Sequence, residues 1–185
     1  MKKIILGLAV AAITLAACNN NKSTESKANK AVMSTNLDEK NLSPINELVN
    51  QYLQIKNGLA NDNGTDAATA GKAFVESIAK VNTASFTTDQ KKKWDDISAD
   101  AKEMAEHIGA NADKLEHQRE HFEMLSTDMY DLVKIFGGGQ VLYKDADTMY
   151  NNGKGAFWLS ETKVIKNPYM GKAMFDSGSI KEEIK

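Results

Sequence analysis

The stretch KLEHQREHFEML, residues 114–125, sets two of the chain's three histidines four residues apart. On a helix that spacing puts His117 and His121 on one face, an arrangement in which two imidazoles can share a metal ion. Met124 follows at the next helical step. His107 stands upstream, on what the pattern predicts to be the preceding helix, and an antiparallel hairpin would carry it toward His117. Imidazole with thioether suits copper, Cu(I) above all, better than magnesium or calcium. Spacing alone equally describes polar residues at the edge of a helix core, and by itself favours that plainer reading.

Other chemistry has little to work with. There is no G-x-S-x-G elbow, and the single cysteine, Cys18, directly follows the apolar run near the N-terminus. GTDAATAGKA, residues 64–73, looks like a phosphate loop but has the wrong glycine spacing, and Ala73 stands where a magnesium-binding hydroxyl belongs. The three glycines after Phe136 follow a helical pattern rather than opening one, so they are poorly placed to cradle phosphate. Asp95 and Asp96 read as a solvated face. With no nucleophile–base pair in view, the expectation is a protein that is not an enzyme.

The two ends bound the location. MKK is followed by a 14-residue apolar run, Ile4 to Ala17, too short to span a bilayer but suited to the core of a secretory signal. It closes on LAAC, residues 15–18, which resembles a bacterial lipoprotein signal whose cysteine is acylated and becomes the new N-terminus. Acylation gives the chain's only thiol a purpose. The expectation is a signal peptide over 1–17, a lipid on Cys18, and a tether over 18–41, polar and without period. This places the protein in the bacterial envelope, held to the membrane on the periplasmic side of the outer membrane. Without the leader the chain has 21 basic and 25 acidic residues, too mild a charge for a nucleic-acid partner.

The elements that must position the histidines are helical. Ile45, Leu48, Tyr52, Ile55 and Leu59 recur at steps of three and four, with Ser43-Pro44 as the expected start. Ala67, Ala70, Phe74, Ile78 and Val81 form a second stripe, after the NDNG breaker. Thr87 and Gln90 predict a capping box for the third, which carries Trp94, Ile97, Ala101, Met104 and Ile108 and should stop at Gly109. Asn111 is the expected cap of the fourth, with Phe122, Leu125, Met129, Leu132 and Phe136. Met104 and Met129 read as core fillers. Four such stripes on short links predict a mainly α fold, an up-down antiparallel bundle.

From about residue 140 the text changes, with turn dipeptides and aromatic clusters. QVLY, AFWL and KVI read as short strands with NNGKG as a turn, forming a small irregular or β-containing cap that packs Trp158, Tyr169 and Phe175 on the bundle. The domain is expected over 42–180, with 181–185 as a tail.

Several phrases together, HIGANADKLEHQREHFEMLS, VLY, GAFWLS, IKNPYMGKAM and SGSI, resemble a family of unknown function. Its members occur in exported bacterial lipoproteins and as an extension of the periplasmic adaptor subunits of copper and silver efflux pumps. The resemblance implies a soft-metal patch. Here its residues would be His117, His121, Met149 and Met174, with His107, Met124 and Asp147 as further candidates. The family pattern has cysteine-proline where this chain has Asp147-Thr148, and a second cysteine at Ser177. A carboxylate at 147 would shift preference from Cu(I) toward Zn(II) or Cu(II). The expected function is that of a lipid-anchored accessory in copper or other soft-metal homeostasis, holding copper or zinc weakly, with a metal-efflux adaptor or other envelope protein as partner. The alternative is a metal-free interaction lipoprotein that docks a partner through its C-terminal aromatic patch.

Overall fold

A computed structural model describes residues 43–185. The leader, Cys18 and the tether lie outside the described residues. Ile45, Leu48, Tyr52, Ile55 and Leu59 are fully buried, as their period requires, on helix α1, Asn46–Ala60, and at its N-cap. Helix α2, Gly64–Ile78, turns Ala67 and Phe74 to the same core. Gly58 lets the two helices close on each other: a Cβ there would meet the Ala67 nitrogen at 2.7 Å. Helix α3, Thr88–Ala110, opens on the capping box read from sequence. Thr87 Oγ1 accepts from the Gln90 N–H at 3.2 Å, and Gln90 Oε1 accepts from the Thr87 N–H at 3.0 Å. Such a cap stabilises by about 1 kcal/mol. Helix α4, Leu115–Phe136, buries Phe122, Leu125, Met129 and Leu132 and ends at Gly137, whose φ of 78° is open to glycine.

Successive helices pack antiparallel and α4 returns against α1, which is the expected up-down bundle. The cap is a three-stranded antiparallel sheet in the order β2-β1-β3, made of β1, Leu142–Asp147, β2, Ala156–Ser160, and β3, Ser179–Ile184. It is a layer of the same core and not an appendage: Leu142, Trp158, Leu159, Tyr169 and Ile184 are buried in one cluster with the helices. Polar groups lock it there. The Leu159 N–H donates to Tyr52 Oη at 3.0 Å, and Tyr169 Oη donates to the Phe157 carbonyl at 2.7 Å. Arg119, buried on α4, donates to the Pro168 carbonyl at 2.9 Å and to Asp62 at 2.6 Å.

Four local readings change. Ser43 does not cap α1; its hydroxyl lies 2.6 Å from the Gly137 carbonyl, so it ties the start of the bundle to the end of α4. Helix α3 runs through Gly109, and Asn111 closes it instead of opening α4. KVI forms no strand. The segment expected as a tail supplies most of β3, which pairs Glu183 with Tyr143 and Ile184 with Leu142. Its charged residues hid it, since β3 is an edge strand with only Ile184 buried.

Candidate metal centre

The hairpin between α3 and α4 is held by polar bonds that leave its outer face free. The Lys114 N–H donates to the Asn111 carbonyl at 3.0 Å, and Asn111 Nδ2 donates to the His107 carbonyl at 2.8 Å. Fully buried Gln118 donates from Nε2 to the carbonyls of Gly64, at 2.9 Å, and Ile108, at 3.0 Å. One side chain thus pins the first turn of α4 to the end of α3 and the start of α2. His117 precedes it, and His121 follows one turn after His117, so both rings lie on the flank that faces the last turns of α3.

That flank gathers all three histidines. One ligand nitrogen from each of His107, His117 and His121 lies within 4.8 Å of the others. His117 and His121 are the close pair, Nε2 to Nε2 at 3.2 Å with ring planes 85° apart. His107 stacks on His121, centroids 4.3 Å apart and planes 12° from parallel. Met104, one turn before His107, places its sulfur 3.4 Å from His121 Nδ1. His117 Nδ1 lies 3.4 Å from the Glu120 carboxylate. Burial, and after it the positive charge His107 and His117 would carry, pushes the His121 imidazole below its ordinary range, so it is neutral at pH 7. Neutral imidazole is the form that binds a metal. Donor type, convergence, partial exposure and protonation all fit a transition-metal ion.

The remaining candidates sit elsewhere. Met124, Met149 and Met174 are exposed, and Met104 is the only methionine among the described residues with its sulfur in hydrogen-bonding contact with a histidine ring. Asp147, at the end of β1, is buried and fully engaged. It accepts from the Met149 N–H at 2.6 Å, from Asn167 Nδ2 at 2.5 Å and from Ser177 Oγ at 2.7 Å. Burial pushes its carboxyl up, but the bonds from Ser177, Met149 and Asn167 outweigh that and hold it below the usual carboxylate range. The two positions where the resemblance has cysteines, 147 and 177, are therefore in contact, joined here by a hydrogen bond that anchors the loop before β3. By its place in the Ala101–Ile108 stripe, Met104 reads as core alone. The signal for its other role is its position three residues before His107.

Fold and site together define a small helical bundle with a sheet cap and a surface histidine cluster between its last two helices. The family described as Protein of unknown function (DUF3347) matches residues 48–140, and the chain belongs to that family. The match contains all three histidines and Met104, and stops before the sheet. No curated protein and no solved structure matches the chain. Among the described residues no helix is long and apolar enough to cross a membrane.

Proposed function

We propose that this is a lipid-anchored envelope protein that binds a transition-metal ion at His107, His117 and His121 and serves as an accessory in copper or related metal homeostasis. The observation that carries the reading is the convergence of three imidazoles on one flank, with His117 and His121 Nε2 atoms 3.2 Å apart. Three protein donors leave a fourth position open, and His107 is exposed. Structural zinc sites close all four positions, so an open, partly exposed site suits an ion that is taken up and passed on. Anchoring through Cys18 rests on the LAAC sequence, and the copper context on the resemblance. Docking through an aromatic patch draws less support, because Trp158 and Tyr169 are buried in the core.

The test is the metal content of the protein extracted from envelopes in detergent without chelator. Wild type should carry copper or zinc near one equivalent, and the pair His117→Ala and His121→Ala should carry none. Wild type no richer in metal than its buffer, or a double variant equally loaded, contradicts the reading.

A further inference from the structure

We infer that the site, if it binds metal as proposed above, is an all-nitrogen mount for a borderline divalent cation, Zn(II) or Cu(II), and that Met104 acts beside it as the acceptor that orients His121 and not as a ligand. The proposal stands on the placement of His121's two nitrogens. Its Nε2 faces His117 Nε2 at 3.2 Å, while its Nδ1 faces the Met104 sulfur at 3.4 Å. The lone-pair directions of the two imidazole nitrogens diverge across the ring. An ion on Nε2 is therefore out of reach of a sulfur that sits against Nδ1. The donors left to the ion are imidazoles, which suit Zn(II) and Cu(II), while Cu(I) selects thioether and thiolate.

The separation of the close pair carries the coordination angle. Metal–nitrogen bonds of about 2.0–2.1 Å whose nitrogens lie 3.2 Å apart subtend about 100–106°, close to tetrahedral. A linear two-coordinate ion, an arrangement open to Cu(I), would need nitrogens about 4 Å apart.

The outer partners complete the site. A ligating histidine donates its other N–H to an acceptor that fixes its tautomer. His121 has the Met104 sulfur for this, and His117 has the Glu120 carboxylate at 3.4 Å. Without an ion the two Nε2 atoms share a hydrogen bond at 3.2 Å, whose donor is set by the tautomers; with both Nδ1 protons turned to these outer partners, both Nε2 lone pairs become available to a cation. His107 is the moving arm. Parallel stacked rings cannot aim their in-plane lone pairs at one ion, so His107 must leave its stack on His121 to become the third ligand. Its exposure allows that rotation.

X-ray absorption on the full chain in detergent, loaded separately with Zn(II) and Cu(II), tests the sphere. Calorimetry with Zn(II), Cu(II) and Cu(I) on wild type, Met104→Leu and Met104→Gln tests the role of Met104. A first shell of nitrogen and oxygen only is expected, with Cu(I) bound at least about tenfold more weakly than Cu(II). Met104→Leu keeps the apolar volume and loses the acceptor, so its Zn(II) affinity should fall about tenfold. Met104→Gln supplies a carbonyl acceptor on a chain of similar length and should restore it. A packing role would give the reverse order, with leucine tolerated and glutamine harmful. A sulfur scatterer in the first shell, a Cu(I) preference, or the reverse order overturns this inference while leaving metal binding at the histidines intact. Failure of wild type to bind any of the three ions overturns the proposed function as well.

Discussion

Replacing Asp145 by asparagine should stabilise this protein at neutral pH and do nothing at pH 4. Asp145 lies on β1 facing the bundle, fully buried, and neither of its carboxylate oxygens has a hydrogen-bond partner. Trp158, its cross-strand neighbour, brings its indole N–H near this carboxylate, but not in good hydrogen-bond geometry. The buried Lys56 ammonium nearby is committed to Glu161 at 2.6 Å. Burial pushes the Asp145 carboxyl up to about 6, with Lys56 pulling it back, Glu161 adding to the rise and the nearby Trp158 N–H offsetting a little of it. A folded-state value above the unfolded value of about 3.9 means the native state holds this proton more tightly. Its contribution is therefore most favourable below about pH 4 and is lost as pH rises through 6. A rise from about 4 to about 6 corresponds to about 3 kcal/mol as a ceiling, and a gain of about 1–3 kcal/mol is expected at pH 7.5. Asparagine keeps the shape, carries no charge and can accept from the Trp158 N–H. Urea unfolding of wild type and variant from pH 4 to 8, followed by tryptophan fluorescence, isolates the effect of this carboxyl, because the other titrating groups cancel in the difference. A variant that is less stable than wild type at pH 7.5, or a difference that does not change with pH, would mean the charge has a compensating partner and the reasoning is wrong.

Three further outcomes follow from the same structure. Leu125→Ala should lower stability by about 2–5 kcal/mol, since Leu125 is fully buried where α4 faces the core; chemical denaturation showing under about 0.5 kcal/mol would refute that placement. Metal affinity should fall steeply between about pH 7 and 5 as protons compete for the imidazoles, with the lowered His121 keeping its share of binding to more acidic pH than a free histidine of about 6.5. A flat calorimetric profile across that range would exclude imidazole ligands. Cys18→Ala should leave the leader uncleaved or release the protein from the membrane fraction, and wild-type fractionation and mobility would refute the anchor.

The bundle was legible because each helix buries one stripe, and a stripe is a period that a linear text preserves. The capping box at Thr87 was legible for the same reason, its two bonds joining residues three apart. Ser43 was not, because its hydroxyl donates to the carbonyls of Phe136 and Gly137, 93 and 94 residues away in sequence. β3 escaped because an edge strand with one buried residue carries almost no hydrophobic alternation. In the site, the i, i+4 pair was plain from spacing. The arrival of His107 depends on the hairpin's length and crossing, which the Gln118 bonds set and spacing does not. Met104 sits between two readings, on the core stripe by period and against His121 by geometry. Asp145 was invisible altogether, since a charged residue in a strand reads as solvent-facing until the sheet is laid on the helices.

The central claim is that the histidine flank of α3 and α4 binds a metal ion. Calorimetric titration of Zn(II), Cu(II) and Cu(I) into the full chain in detergent at pH 7.5, beside the His117→Ala and His121→Ala double variant, tests it directly. Wild type should show a single site for at least one divalent ion and the double variant none, with unchanged helical content in both. No heat above buffer for all three ions, or equal binding by the double variant, would contradict it and return these histidines to polar residues at the edge of a helix core.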